Sequence, residues 1–91
     1  MRLQWSSKAL SDLVRLHEFL SVGSKEAAAR TVKGLTAAVG KLAQHPRLGE
    51  PMPEFDEREV RRLVVGQYEI RYAVANSGVT ILRLWHTREE R

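Results

Sequence analysis

The sequence predicts an α+β domain in the order β-α-α-β-β-β, a helical hairpin packed on one face of a mainly antiparallel four-stranded sheet. Three observations carry that expectation. Apolar residues recur at three- and four-residue spacings in the N-terminal half, alternation with period two dominates the C-terminal third, and all three prolines fall between. With 91 residues, the chain has length for a single domain, 1–91, around one core.

Residues 2–5 alternate and then meet Ser6-Ser7, a helix N-cap signal, so a first strand hands over to a helix there. Leu10, Leu13, Leu16 and Leu20 form the apolar stripe of that helix, with Lys8, Asp12, Arg15 and Glu18 assigned to its wet side. Gly23 is expected in the left-handed position that ends it, and Ser24 caps the next helix. That second helix, 25–43, has a seam of Ala28, Val32, Leu35, Val39 and Leu42. Gly34 and Gly40 inside it imply close approach of a neighbouring element, since glycine costs a helix about 1 kcal/mol relative to alanine. Pro46, Pro51 and Pro53 force an extended connection. Three strands follow at 60–65, 68–74 and 79–85, separated by Gly66-Gln67 and Asn76-Ser77-Gly78. Such short turns impose antiparallel pairing.

Composition narrows the chemistry. The absence of cysteine excludes disulfides, thiolate metal sites and a thiol nucleophile. His17, His45 and His86 lack paired metal-ligand spacing, and no phosphate-binding glycine loop is present, so neither metal nor cofactor is expected. No apolar run approaches membrane-spanning length, and the chain reads as soluble and cytoplasmic, without a membrane partner. A net charge of +4 fits an anionic partner.

The sheet segment concentrates the candidates. It holds seven arginines, Arg58, Arg61, Arg62, Arg71, Arg83, Arg88 and Arg91, and no lysine. Guanidinium forks suit phosphate or carboxylate recognition, although Glu59 and Glu69 offer cross-strand partners that would absorb them. Tyr68, Ile70, Tyr72 and Val74 face the helices, which puts Glu69 and Arg71 on the other side of the sheet. The phase of the last strand stays ambiguous, because Leu82/Leu84 and Ile81/Trp85 are both apolar pairs. Trp5 and Trp85 read as packing residues. His86, at the strand end, is either a general acid/base or a histidine bonded to backbone.

Five segments together resemble the RelE/ParE superfamily of type II toxins: residues 5–13, 46–49, 58–63, 68–72 and 81–88. The pattern is most similar to the ParE-like plasmid stabilisation branch. That resemblance implies a toxin that inhibits DNA gyrase by protein–protein contact and is neutralised by a cognate ParD-like antitoxin in a hetero-oligomer. It places target contact on Arg61, Arg71, Arg83, His86, Arg88 and Arg91, and antitoxin binding on Leu13, Leu16, Leu20, Val32, Leu35 and Val39. The RelE-like alternative is a ribosome-dependent mRNA endonuclease. Its lysine and C-terminal tyrosine set is missing, since no lysine follows Lys41 and no tyrosine follows Tyr72. A second nuclease arrangement aligns with Glu50 or Glu54 as base, Arg71 as phosphate stabiliser and His86 as acid. A module that only binds antitoxin is the non-toxic reading.

Overall fold

The computed structural model describes residues 1–55 and 57–88. Strand β1 (Leu3–Trp5) leads into α1 (Ser7–Gly23) and α2 (Lys25–Lys41), followed by β2 (Glu50–Pro51), β3 (Glu59–Val65), β4 (Tyr68–Ala75) and β5 (Gly78–His86). The sheet order is β1-β5-β4-β3-β2, with β1 parallel to β5 and every other pair antiparallel. The expected four strands become five. The added one, Glu50–Pro51, pairs with Arg62 and Arg61 at the sheet edge, where proline's missing N–H is tolerated.

Helix α1 starts where the sequence signals it. The Ser6 hydroxyl accepts from the Ala9 N–H at 3.0 Å, and also donates to the Leu82 carbonyl at 3.0 Å, so one side chain caps the helix and ties it to β5. The joint between helices differs from expectation. Gly23 stays helical, and extended Ser24 (φ −163°, ψ 121°) ends α1 and caps α2 through the Ala27 N–H. Positive φ belongs to Gly66 and Gly78, at the two short turns between β3, β4 and β5.

The core lies between the helical hairpin and the sheet, with Ala9, Leu13 and Leu16 of α1 contributing to it. Leu35, Val39 and Leu42 meet Ile70, Tyr72, Val79, Ile81 and Leu84, each at most 2% exposed. The ambiguous phase of β5 has a geometric answer. A register shift opposite Arg71/Tyr72 leaves Leu82 as the extra residue, so Ile81 pairs with Tyr72 and Leu84 with Ile70. Both therefore point into the core, and Trp85 goes to the far side with its partner Glu69.

Gly34 and Gly40 do not approach a neighbour within the chain: an added Cβ at either would meet nothing within 4 Å. Gly34→Ala and Gly40→Ala are each expected to stabilise the domain by about 0.5–1 kcal/mol, read by thermal unfolding. Among the described residues, no helix is long and apolar enough to cross a membrane.

Candidate functional site

The sheet face away from the helices carries Glu69 and Arg71, as the alternation of β4 predicts. It is partly covered and largely neutralised. Backbone hydrogen bonds from Phe55 to the Met52 carbonyl and from Arg58 to the Phe55 carbonyl hold Phe55 over Arg71, whose guanidinium carbon lies 5.6 Å from the Phe55 ring centre and 4.7 Å from that of Trp85. Glu69, almost buried, sits 3.6 Å from both Arg71 and Arg62. Arg62 also holds Glu50 at 2.6 Å, a contact that raises its already high pKa. Arg61 turns to the helix side. It donates to Glu59 at 2.8 Å and to the Gly49 carbonyl at 2.7 Å. Hydrogen bonds from Arg61 and Arg47 keep the Glu59 carboxyl below its ordinary pKa. The carboxylates thus absorb much of the face, as the cross-strand alternative anticipated.

Arg83 is corrected most clearly. Expected as a target-contact residue on a strand of open phase, it pairs with Arg71, lies beside the bulge and reaches past the strand edge to Asp12. Asp12, assigned from sequence to the wet side of α1, is 4% exposed. It accepts from Arg83 Nε at 2.8 Å, Arg15 Nη2 at 2.7 Å and the Leu84 N–H at 3.0 Å. Burial raises its pKa, but the Arg83 hydrogen bond, the Leu84 N–H and the two guanidinium charges outweigh that and leave it lowered. The carboxylate therefore takes over the edge of β5 where β1 stops. No periodicity argument finds this residue, because the signal is a sheet edge that needs an acceptor.

Beside that anchor lies a cleft of about 670 Å³ between α1 and the ends of β4 and β5. Leu16, Phe19, Leu20, Tyr68 and Leu84 line it, and Arg15, His86 and Arg88 stand around them. Leu16 and Leu20, two of the residues expected to bind antitoxin, thus line this cleft. Leu13 and Val32 are half-buried, Leu13 against the core. Leu35 and Val39 are 2% and 1% exposed; they fill the core and offer a partner nothing, which corrects that part of the expectation. Phe19, 74% exposed, falls off the leucine stripe, so sequence periodicity passed it over.

The nuclease arrangement does not come together. Cross-strand pairing sets His86 beside Tyr68 on the helix side, with the two rings edge to face at 5.3 Å, while Arg71 lies on the opposite face. His86 Nδ1 accepts from the Arg88 N–H at 3.1 Å, so the neutral ring carries its proton on Nε2, 3.0 Å from Gln67 Oε1. Glu50 is engaged with Arg62, and Glu54 lies in the loop turns near Phe55. Arg88 is exposed just past β5, and Arg91 lies outside the described residues. Among the described residues, no group of three or more His, Asp or Glu is placed to hold a metal ion.

Comparison with known proteins adds three findings. The sequence profile of the ParE toxin of type II toxin–antitoxin systems, parDE, matches residues 3–91. Toxin RelE2 of Caulobacter vibrioides is 35% identical over 82 residues, covering 90% of each chain. A solved chain of the chromosomal ParDE TA system from P. aeruginosa superimposes with a TM-score of 0.80 at 27% identity, covering 94% of this chain and 95% of that one.

Proposed function

The chain belongs to the ParE toxin family of type II toxin–antitoxin systems, and from that membership we propose that it inhibits DNA gyrase by protein–protein contact. Membership implies an antitoxin partner. The observation that favours contact over RNA cleavage is the separation of the candidate acid and phosphate-binding groups. Cleavage through a 2′-hydroxyl needs a base, an acid and a cation converging on one phosphate. Here His86 and Arg71 stand on opposite sides of the sheet, and both His86 ring nitrogens are already engaged.

The contact surface in this reading is the β5 end, with His86 and the exposed Arg88, rather than the whole arginine face. The antitoxin's flexible segment occupies the adjoining cleft, with an apolar face against Leu16, Phe19 and Leu20 and carboxylates toward Arg15 and Arg88. Because Arg88 borders both surfaces, a bound antitoxin covers the target-contacting end, and neutralisation follows by occlusion.

Supercoiling by purified gyrase tests this. The toxin is expected to inhibit it at micromolar concentration, and Arg88→Ala to weaken inhibition about tenfold, the loss of one good interface contact. Phe19→Asp is expected to release the antitoxin while leaving inhibition intact. No inhibition of gyrase, together with cut message in a translation extract, overturns the proposal in favour of the endonuclease.

A further inference from the structure

A large share of the chain's positive charge sits away from the sheet, on α2. Helix α2 carries Lys25, Arg30, Lys33 and Lys41 against Glu26 alone, a net +3 within a chain total of +4. Most arginines elsewhere behave differently: Arg15 of α1, Arg47 of the proline-rich connection, and Arg61, Arg62, Arg71 and Arg83 of the sheet all have carboxylate partners, whereas Arg58 and Arg88 show no salt bridge among the described residues. Among the described residues, none of the four α2 cations forms a salt bridge.

Their placement is ordered. At 3.6 residues per turn, Arg30, Lys33, Ala37, Gly40 and Lys41 fall within an arc of about 100°, opposite the buried seam of Leu35, Val39 and Leu42. All five are exposed, and the space above Gly40 is empty to 4 Å. From Arg30 to Lys41 the helix rises about 16 Å, at 1.5 Å per residue. The result is a smooth cationic strip whose charges flank backbone that a large body can approach closely.

The geometry points to duplex nucleic acid as the occupant of this strip, held through its phosphate backbone without sequence preference. A duplex carries about one negative charge per 1.7 Å of its axis, so its phosphates supply anions along the whole length of the strip. A protein partner fits less well. Interfaces between proteins depend on large apolar or aromatic anchors, and every exposed large hydrophobic residue of this chain lies outside α2. The inference stands apart from the gyrase reading, because it concerns a different face and needs no gyrase to be observed.

Fluorescence anisotropy of a labelled 30-base-pair duplex of random sequence, titrated with the full chain across a salt series, tests it. Binding in the micromolar range is expected at low salt, with log K falling against log salt at a slope of about −2.7 for three contacts. The variant Arg30→Gln/Lys33→Gln/Lys41→Gln changes only exposed helix positions and is expected to keep the wild-type circular dichroism. It should bind at least tenfold more weakly, with a slope near zero. Removing three charges elsewhere, as Arg47→Gln/Arg58→Gln/Arg62→Gln, is expected to leave affinity within about twofold. Equal losses in both variants, or none in the first, overturn the assignment. So does wild-type chain that binds poly-glutamate but no duplex, which would make the strip a surface for acidic protein.

Discussion

Asp12→Ala is expected to cost about 3 kcal/mol of folding stability and to lower the melting temperature by on the order of 15 °C. The substitution leaves the buried Leu84 N–H without the Asp12 acceptor and removes the carboxylate that Arg83 and Arg15 share. Against a total of about 5–15 kcal/mol for a domain, that is a large share. The sign of the pH dependence follows from the lowered folded pKa. A carboxylate with a depressed pKa contributes its full stability above its unfolded value of about 3.9 and loses it as pH falls through the folded value. Chemical denaturation of wild type between pH 5 and pH 2 should therefore show an acid decline that Asp12→Asn reduces. An unchanged acid limb would assign that decline to other carboxylates, Glu59 among them.

Tyr72→Ala is expected to be comparably severe, at about 3–5 kcal/mol, because it empties one of the largest fully buried sites. The hydroxyl has a separable role. It accepts from the Gly49 N–H at 2.8 Å and donates to the Pro46 carbonyl at 2.8 Å, fastening the proline-rich connection to the sheet. Burial raises the pKa of this phenol, with the Gly49 N–H opposing the rise. Tyr72→Phe keeps the ring and orphans both backbone groups, so a loss of about 1–3 kcal/mol is expected in equilibrium denaturation. Gly49 is fitted to the same joint: a Cβ there would stand 2.6 Å from the Arg62 carbonyl and 2.7 Å from the Tyr72 hydroxyl. A Tyr72→Phe loss as large as that of Tyr72→Ala would place the main role in the loop contacts rather than in packing.

Periodicity carried the element order, the hairpin of helices and the inward phase of β4. The alternation of Tyr68, Ile70, Tyr72 and Val74 has only one way to bury its apolar half, and Ser6 and Ser24 mark helix starts by side-chain chemistry alone. What stayed illegible depended on long-range geometry. The two apolar pairs of β5 are irreconcilable in a regular strand, and only a bulge at Leu82 lets both contribute to the core. Asp12 looks like any polar helix residue until β5 is set beside it. The arginine pattern was visible, but which carboxylate each guanidinium meets depends on register, and register joins Arg62 to Glu50 and Arg61 to the Gly49 loop. Phe19 breaks the leucine stripe and so carried no signal of its own. For the α2 strip, the charges are countable in the sequence, while the absence of salt bridges to them among the described residues is not.

The parallel pairing of Leu3 with Val79 sets an order of events during synthesis. A ribosome releases the N-terminal strand first, yet that strand has nothing to bond until β5 follows it out of the exit tunnel. Asp12 waits for the same reason, since its β5 donors Arg83 and Leu84 follow it by 71 and 72 residues. High sequence separation of this kind slows folding, because loop closure precedes any gain from contact. The nascent chain therefore cannot pair its outer strand, seat its edge cap or complete one wall of the cleft until β5 has emerged. A product truncated before β5 is expected to stay unfolded, read by circular dichroism.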